Sequence, residues 1–291
     1  MFDLLVIGGL GVDLRVHVPA IPPPAADSMT VPPIRARIGN TGSGVALAAH
    51  ALGLRVALVD VLGTDPAGAV VRAALARTSV HTVLADSPGG TRQSVNLVDP
   101  AGRRMSLYDP APWTGTGAPF DDDRLAALVR DAAHVHVSII DWARDRLPVL
   151  RAALPDGVAL STDLHDWDGH NPYHRPFAEA ADLVFVSGVR LGADAPALAA
   201  ALAPRTVLVT RGADGADLYP GDGTRHHVPA TVPPAPVIDS NGAGDAFAAG
   251  LIAGRLAGGA VPDAAAHAAR VAAAACTHDG MEYPPGLLPT R

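Results

Sequence analysis

The sequence predicts an α/β protein of three layers, with a mostly parallel central sheet between two layers of helices and a small β-sheet lid. Apolar runs such as 4–9 and 55–63 are continuous rather than alternating, which is typical of strands buried on both faces. Ala-rich helical stretches at 43–54 and 66–78 separate such runs. This βαβ alternation favours a parallel sheet with helices on both of its faces.

The same alternation continues in the second half of the chain. Four further strands are predicted at 134–140, 158–164, 181–187 and 206–210. A hairpin is predicted at 217–230, and two Ala-rich helices are predicted within 243–276. With no internal repeat and a length that suits one large domain, residues 1–291 are expected to form a single domain.

Two segments interrupt this alternation and predict the lid. Residues 11–37 contain short alternating runs and proline-rich turns, which indicate exposed strands. Residues 81–110 contain two strand-like runs around the turn sequence Asp-Pro-Ala-Gly at 99–102, which indicates a hairpin. We therefore expect 11–37 and 82–110 to form a small β lid over one end of the sheet.

Composition excludes several classes of protein. The 291 residues are 48% hydrophobic and 18% charged, so the chain can bury a core. The net charge is −7 and no block of Lys or Arg occurs, so nucleic acid is not an expected partner. A single cysteine, Cys276, excludes a disulfide framework. With neither a secretion signal nor a membrane span in the sequence, we expect a cytoplasmic protein.

Residues 239–250, DSNGAGDAFAAG, predict an anion site. We expect a strand to end at Asp239 and a helix to begin near Ala243. Backbone N–H groups at a helix start are unpaired and carry positive potential, so they bind anions. Gly242, Ala243 and Gly244 would offer these N–H groups, since small residues let a phosphate approach the backbone closely.

Asp245 lies in the first turn of this helix, beside the predicted anion site. A carboxylate there can take a proton from a hydroxyl that attacks phosphorus. The helix dipole is expected to help keep it ionised. Backbone donors next to a base are what phosphoryl transfer needs. The simpler interpretation is a glycine-rich turn capped by Asp245.

This segment resembles the C-terminal signature of the ribokinase-like (PfkB) carbohydrate kinase family, Asp-Thr-x-Gly-Ala-Gly-Asp followed by a helix, with Ser240 in place of the threonine. Three other stretches resemble family motifs in the same order, at 8–14, 39–68 and 209–215. The resemblance covers essentially the whole chain. It implies a ribokinase-like fold and ATP-dependent phosphorylation of an alcohol group on a small sugar or sugar-like acceptor, with Mg²⁺ accompanying ATP.

The resemblance also implies roles for individual residues. Asp245 is the expected general base, and the expected anion hole is formed by Gly242, Ala243 and Gly244. The acceptor hydroxyls are expected to face Asp13, Gly39 and Asn40. The expected nucleotide contacts are Thr210, Gly212, Gly215 and Asn241. In members that bind a monovalent cation such as K⁺, Asp239 and the carbonyl group of Asn241 would face it.

Two departures from the family pattern stand out. The family often has Asn-x-x-Glu after the strand predicted at 181–187, whereas this chain has Ser-Gly-Val-Arg at 187–190. Mg²⁺ is then expected to be held mainly by the phosphates of ATP and by water. Arg190 is either a contact to a phosphate of ATP or a surface arginine at a helix start. Gly44 stands where the family has an asparagine that contacts the substrate.

Several polar residues are candidates for the acceptor side. The histidines around Asp163 lack the spacing of a metal site. Together with Asp163, they are expected to line the carboxyl ends of the strands, where ligands bind in open α/β sheets. Arg104 in the lid hairpin either meets a polar or acidic group of the acceptor or lies on the surface. In this family the lid often forms the dimer contact, so a homodimer is expected.

Two alternatives remain open from the sequence. The first is a nucleoside kinase on the same scaffold, although the aromatic content of 4% offers few rings for a base-binding slot. The second is a catalytically silent sensor of a nucleotide or sugar, which the missing Asn-x-x-Glu favours and the intact Asp245 opposes.

Overall fold

The structure is a computed structural model that describes residues 1–100 and 104–290. Within these ranges the strands are β1 (Leu4–Ile7), β2 (Gly11–His17), β3 (Arg35–Gly39), β4 (Val56–Leu62), β5 (His81–Asp86), β6 (Gln93–Val98), β7 (Arg104–Asp109), β8 (His134–Ser138), β9 (Ala159–Asp163), β10 (Leu183–Ser187), β11 (Thr206–Thr210), β12 (Ala216–Tyr219) and β13 (His226–Val228). The α-helices are α1 (Thr41–Ala51), α2 (Pro66–Leu75), α3 (Asp122–Arg130), α4 (Asp141–Arg144), α5 (Leu147–Ala153), α6 (Arg175–Ala180), α7 (Ala195–Ala201), α8 (Ala243–Leu256) and α9 (Val261–Ala275).

The large sheet has nine strands in the order β13-β12-β11-β10-β9-β8-β1-β4-β5. The strands from β11 to β5 in this order are all parallel. The β12–β13 hairpin adds two strands, with β12 antiparallel to β11. The predicted parallel sheet and the hairpin at 217–230 are confirmed. The carboxyl ends of the parallel strands therefore meet at one edge of the sheet.

Helices cover both faces of this sheet. Side chains of α1, α2, α8 and α9 form one hydrophobic core against it, and those of α3 to α7 form a second core on the opposite face. Strand β1 contributes alternate residues to the two cores, with Leu4 in the first and Leu5 in the second. Burial on both faces explains the continuous apolar runs in the sequence. None of the described helices is long and apolar enough to span a membrane.

A second, smaller sheet forms the lid, in the order β3-β2-β6-β7. The predicted hairpin is present as β6 and β7, which pair antiparallel, whereas residues 101–103 of its turn lie outside the described residues. The predicted lid range 82–110 starts too early, because β5 pairs with β4 at the edge of the large sheet. After α2, β5 completes an ordinary βαβ unit, and it packs Val83 into the core.

The strand expected to end at Asp239 is absent from the described residues. Residues 231–239 are irregular, and the N–H groups of Ile238 and Asp239 both donate to the carbonyl oxygen of Cys276, over 2.8 and 3.1 Å. The physical reason lies in the prolines at 233, 234 and 236, which have no N–H group to give to a strand partner. The 276–281 segment thus supports the approach to α8 in place of a sheet.

Candidate active site

The N-terminus of α8 has the geometry of an anion site. Gly242 precedes the helix with φ of +78°, a left-handed conformation that glycine adopts without strain. The first turn of a helix leaves its N–H groups without intrahelical partners. The space beside Gly244 is open, since a methyl group on its α-carbon would meet no atom within 4 Å. A phosphate can therefore approach Gly244 directly, whereas the N–H of Ala243 donates to the carbonyl oxygen of Ser240 over 3.3 Å and Gly242 packs against Met281.

Asp245 lies in this first turn and is partly buried between α8 and α1. Its carboxylate lies against the backbone of Gly44, where an added Cβ would come within 2.1 Å of Oδ2. Burial raises the pKa of Asp245 well above its usual value; the carboxylates of Asp163 and Asp13 raise it further, and Arg104 opposes them. Burial and the neighbouring carboxylates thus outweigh the helix dipole, which was expected to help keep Asp245 ionised. A raised pKa makes Asp245 a stronger proton acceptor when ionised.

Asp163 is the last residue of β9, at the carboxyl edge of the sheet; that it faces a ligand stays a prediction. Burial raises its pKa, while nearby His165 opposes the rise. The backbone N–H of His165 donates to Oδ1 of Asp163 over 2.7 Å, and the His165 ring bonds the Thr41 hydroxyl over 2.8 Å. This links the 163–174 loop to the start of α1. No cluster of three or more His, Cys, Asp or Glu side chains among the described residues could hold a metal ion.

Asp13 on β2 is buried and held by two donors. The Ser94 hydroxyl donates to its Oδ1 over 2.5 Å, and the Asn241 amide donates to its Oδ2 over 3.0 Å. Gly39 packs directly against this carboxylate, since a Cβ there would lie 2.1 Å from Cγ of Asp13. The glycine at 39 therefore leaves room for the carboxylate.

Asn40 has φ of +73° and does not cap α1 with its side chain. Its amide nitrogen is buried against Gly11 without a hydrogen-bond partner among residues 1–100 and 104–290. Arg104 of the lid donates to Oδ1 of Asn241 over 2.5 Å. The Asn241 side chain thus bridges Asp13 and Arg104. It faces the expected acceptor residues, not the nucleotide segment for which it was proposed.

The expected nucleotide segment follows β11. Thr210 ends that strand, and Gly212 and Gly215 turn the chain with φ of +58° and +85°. A Cβ on Gly215 would lie 2.2 Å from the carbonyl oxygen of Val228, so this turn packs closely against β13. The carbonyl oxygen of Thr210 accepts the N–H of Gly188 over 2.8 Å, which places the turns after β10 and β11 side by side.

Arg190 lies in the turn after β10 rather than at a helix start. Its guanidinium pairs with the carboxylate of Asp168 over 3.0 Å, and its side chain is 56% exposed. Contact with a phosphate would therefore require this exposed pair to open, which costs little at a surface.

Asp239 does not face an open cation site. Its carboxylate is paired with the guanidinium of Arg15 from the lid and accepts the N–H of Asn241 over 2.8 Å. A guanidinium already supplies positive charge there, so the monovalent cation expected at Asp239 does not fit this arrangement.

Sequence reasoning missed Ser94 and Arg15, and it missed the contact between Gly44 and Asp245. Ser94 reaches Asp13 because β2 and β6 pair in parallel with Asp13 opposite Ser94. Gly44 and Arg15 meet their partners between elements far apart in the chain. The only local signal was for Ser94, as a polar position in an alternating strand; nothing near Gly44 or Arg15 specified their partners.

Comparisons with known proteins agree with this architecture. The profile of the pfkB family carbohydrate kinases matches residues 176–286. Acarbose 7(IV)-phosphotransferase of Actinoplanes sp. is 41% identical, over 94% of this chain and 92% of that protein. The solved structure of a microbiome-derived acarbose kinase is 40% identical, with a TM-score of 0.86, and the match covers 98% of this chain and 95% of that one.

Ribokinase of Arabidopsis thaliana, solved with ribose and ATP, is 21% identical with a TM-score of 0.78, over 99% of this chain and 95% of that one. At 21% identity this similarity shows the fold alone, and that fold is the ribokinase fold. The chain belongs to the pfkB family of carbohydrate kinases. Its activity is ATP-dependent phosphorylation of a sugar, as the sequence predicted.

Proposed function

We propose that this kinase transfers the γ-phosphoryl group of ATP to an alcohol group of acarbose or a closely related saccharide. The observation that carries the proposal is the identity of 41% and 40% to two acarbose kinases, each over more than nine-tenths of both chains. A cytoplasmic location and the pairing of two copies through the lid stay predictions.

The lid supports an acceptor larger than one sugar ring. Strand β7 is an edge strand, and all six of its residues are exposed. Arg104 bonds Asn241 at the site, and alternate residues of a strand share a face. Tyr108 therefore lies on the site's side of β7, and it is in register with Asp13 two strands away, since Tyr108 pairs with Ser94 and Ser94 with Asp13. There its ring can pack on the apolar face of a sugar unit next to the one that Asp13 binds.

The proposed mechanism uses the site residues as follows. Asp13 accepts hydrogen bonds from acceptor hydroxyls, and Asn40 lies beside the acceptor. Asp245 takes the proton of the reacting hydroxyl, whose oxygen forms a bond to the γ-phosphorus. The bond from that phosphorus to the bridging oxygen breaks, and ADP leaves with the electron pair. The proton on Asp245 passes to solvent after the lid opens.

The backbone donors stabilise the charge that develops during transfer. In this proposal the N–H groups of Gly242, Ala243 and Gly244 contact the transferring phosphoryl oxygens. Mg²⁺ accompanying ATP would be held by phosphate oxygens and water, and when bound it offsets the charge of the phosphates. Thr210, Gly212 and Gly215 line the nucleotide. Closure of the lid excludes water, which limits hydrolysis of ATP.

A coupled ADP-release assay tests the acceptor. Acarbose, maltose, ribose and cytidine are compared at equal concentration, and the product is examined by mass spectrometry and phosphorus NMR. We expect the highest kcat/KM and a single phosphomonoester with acarbose. A higher kcat/KM for ribose or cytidine would refute the proposed acceptor, and no turnover with any of them would favour the sensor.

A matched pair of lid variants tests the extended acceptor. Tyr108→Ala removes the ring on the site's side of β7, whereas Leu107→Ala shortens its exposed neighbour on the opposite side. We expect Tyr108→Ala to raise KM for acarbose about tenfold, as loss of one aromatic contact does, and Leu107→Ala to leave it unchanged. Equal effects of the two variants, with oligomeric state checked by size-exclusion chromatography, would contradict the assignment.

A further inference from the structure

Four charged side chains join the lid to the segment before α8 and to the segment after α9. We call Arg15, Arg37, Asp239 and Asp279 the Arg–Asp cluster. Arg15 pairs with Asp239 and, over 2.7 Å, with Asp279. Arg37 pairs with the carboxylate of Asp279 over 2.7 Å and also donates to its carbonyl oxygen. The cluster balances two positive charges against two negative ones.

Within the cluster, both carboxylate oxygens of Asp239 are satisfied. Oδ1 accepts the N–H of Asn241 over 2.8 Å, and Oδ2 accepts the N–H of Gly280 over 3.3 Å in addition to the guanidinium of Arg15. Asp239 is only 8% exposed and the side chain of Arg15 only 17%. A carboxylate this buried needs a cation beside it, and here the chain itself supplies that cation.

The carbonyl oxygen of Asp279 reinforces this conclusion. A backbone carbonyl next to a buried carboxylate is the kind of oxygen pair that binds a metal cation. In this chain the carbonyl accepts from Arg37 and the carboxylate from Arg15. Arg15 therefore occupies the Asp239 oxygen, and Arg37 the Asp279 carbonyl oxygen, that a cation on this side of Asp239 could use.

We propose that the guanidinium of Arg15, supported by Arg37, takes the place of a monovalent cation at Asp239, so that phosphoryl transfer by this kinase does not depend on potassium. The inference rests on the proposed function in one respect, the role of Gly242, Ala243 and Gly244 as the anion hole. Arg15 touches no reacting atom in this account, so it is a positioning residue.

The position of Arg15 explains what it would hold in place. Arg15 and Asp13 lie on the same face of β2, two residues apart. Asp239 holds the N–H of Asn241, and the side chain of Asn241 holds Asp13. The cluster thus closes a loop between the strand that binds the acceptor and the turn that leads into the anion hole. The acceptor-binding strand and the anion hole are thus held in place relative to each other by charged side chains of the protein, without a bound cation.

The first experiment compares wild-type kinase in KCl, NaCl and N-methylglucamine chloride at equal ionic strength. We expect kcat/KM to differ by less than about twofold among the three salts, and the thermal unfolding temperature to be the same in KCl and NaCl. Activation of the wild type by potassium of more than about twofold would overturn the proposal. If the wild type phosphorylates no acceptor, the proposed function fails, and the unfolding temperatures still test the cation site.

The second experiment removes the guanidinium. Arg15→Ala leaves Asp239 buried without its partner, so we expect a fall in kcat of at least about tenfold in N-methylglucamine. Potassium is expected to restore part of this loss and to raise the unfolding temperature, with sodium less effective. The matched control is Arg35→Ala, an exposed arginine opposite Arg15 in the β2–β3 pairing, which should behave as the wild type.

Two results would overturn the role of Arg15. One is an Arg15→Ala variant with unchanged activity in N-methylglucamine. The other is an impaired variant that potassium neither activates nor stabilises, since Arg15 would then be an ordinary ion pair. If Arg15→Ala does not fold, Arg15→Lys keeps the charge and must remain active without potassium; potassium dependence of that variant would also contradict the proposal.

Discussion

An alanine at position 44 is expected to displace the Asp245 carboxylate. Its Cβ would lie 2.1 Å from Oδ2, 2.5 Å from Cγ and 2.7 Å from Cβ of Asp245, whereas ordinary contacts begin at 3.4 Å. The carboxylate must therefore move by about 1 Å or more, and a misplacement of about 1 Å costs roughly 100-fold in rate. We expect kcat to fall by about that factor, with KM for ATP little changed because the nucleotide segment is untouched.

The assay is steady-state ADP release, with thermal unfolding as the check on stability. Glycine to alanine within a helix favours the helix by up to about 1 kcal/mol, which offsets part of the strain. A double-mutant cycle with Asp245→Asn isolates the cause, because alanine at 44 should have less than about twofold effect once the base is gone. Losses that multiply in the double variant, or a Gly44→Ala enzyme with full kcat, would refute the reasoning.

Three further predictions concern stability. Burial lowers the pKa of His134 to about 4 and of His136 to about 3; because the unfolded histidines titrate near 6.5, the unfolded state gains protons first below that pH. Each histidine should therefore lower the free energy of unfolding by about 2 kcal/mol as the pH falls from 7 to 5. Urea midpoints that do not fall over this range would contradict the prediction. Asp60 and Arg92 form a buried ion pair, 2.8 Å apart. Asp60→Ala should lower the free energy of unfolding by about 3–5 kcal/mol because it leaves Arg92 buried without its partner, and a urea midpoint close to wild type would count against this. Asp65 caps α2 through the Gly68 N–H over 2.7 Å, so Asp65→Ala should cost about 1–2 kcal/mol, measured by the same unfolding; a loss below that of the exposed control Asp27→Ala would speak against the cap.

The parts of the site that sequence could predict are contiguous. Residues 239–250 carry the expected anion site and the proposed base on one turn, so no knowledge of the packing is needed to place them together. Asp163 was placed by the rule that ligands bind at the carboxyl ends of parallel strands. The large sheet was predicted for a similar reason, since burial on both faces leaves continuous apolar runs.

The remaining features depend on which elements meet. Gly44 matters only because α1 packs against α8 at Asp245, and Arg15 matters only because the lid folds onto the 276–281 segment. Neither contact leaves a local pattern. The strand at 81–86 was misassigned to the lid because a strand at the edge of the large sheet and a strand of the lid show the same alternation of apolar and polar residues. Only its pairing with β4 shows that it belongs to the large sheet. The prolines before Asp239 were a readable signal against a strand there.

The measurement that tests the account most directly is single-turnover phosphoryl transfer by Asp245→Asn. The amide keeps the shape of the side chain but cannot accept the proton, so transfer to the acceptor should slow by about 10²–10⁴-fold. Binding of ATP, followed by calorimetry, should be retained, because Gly242, Ala243 and Gly244 are unchanged. An Asp245→Asn enzyme that transfers the phosphoryl group at nearly the wild-type rate would show that Asp245 is not the base.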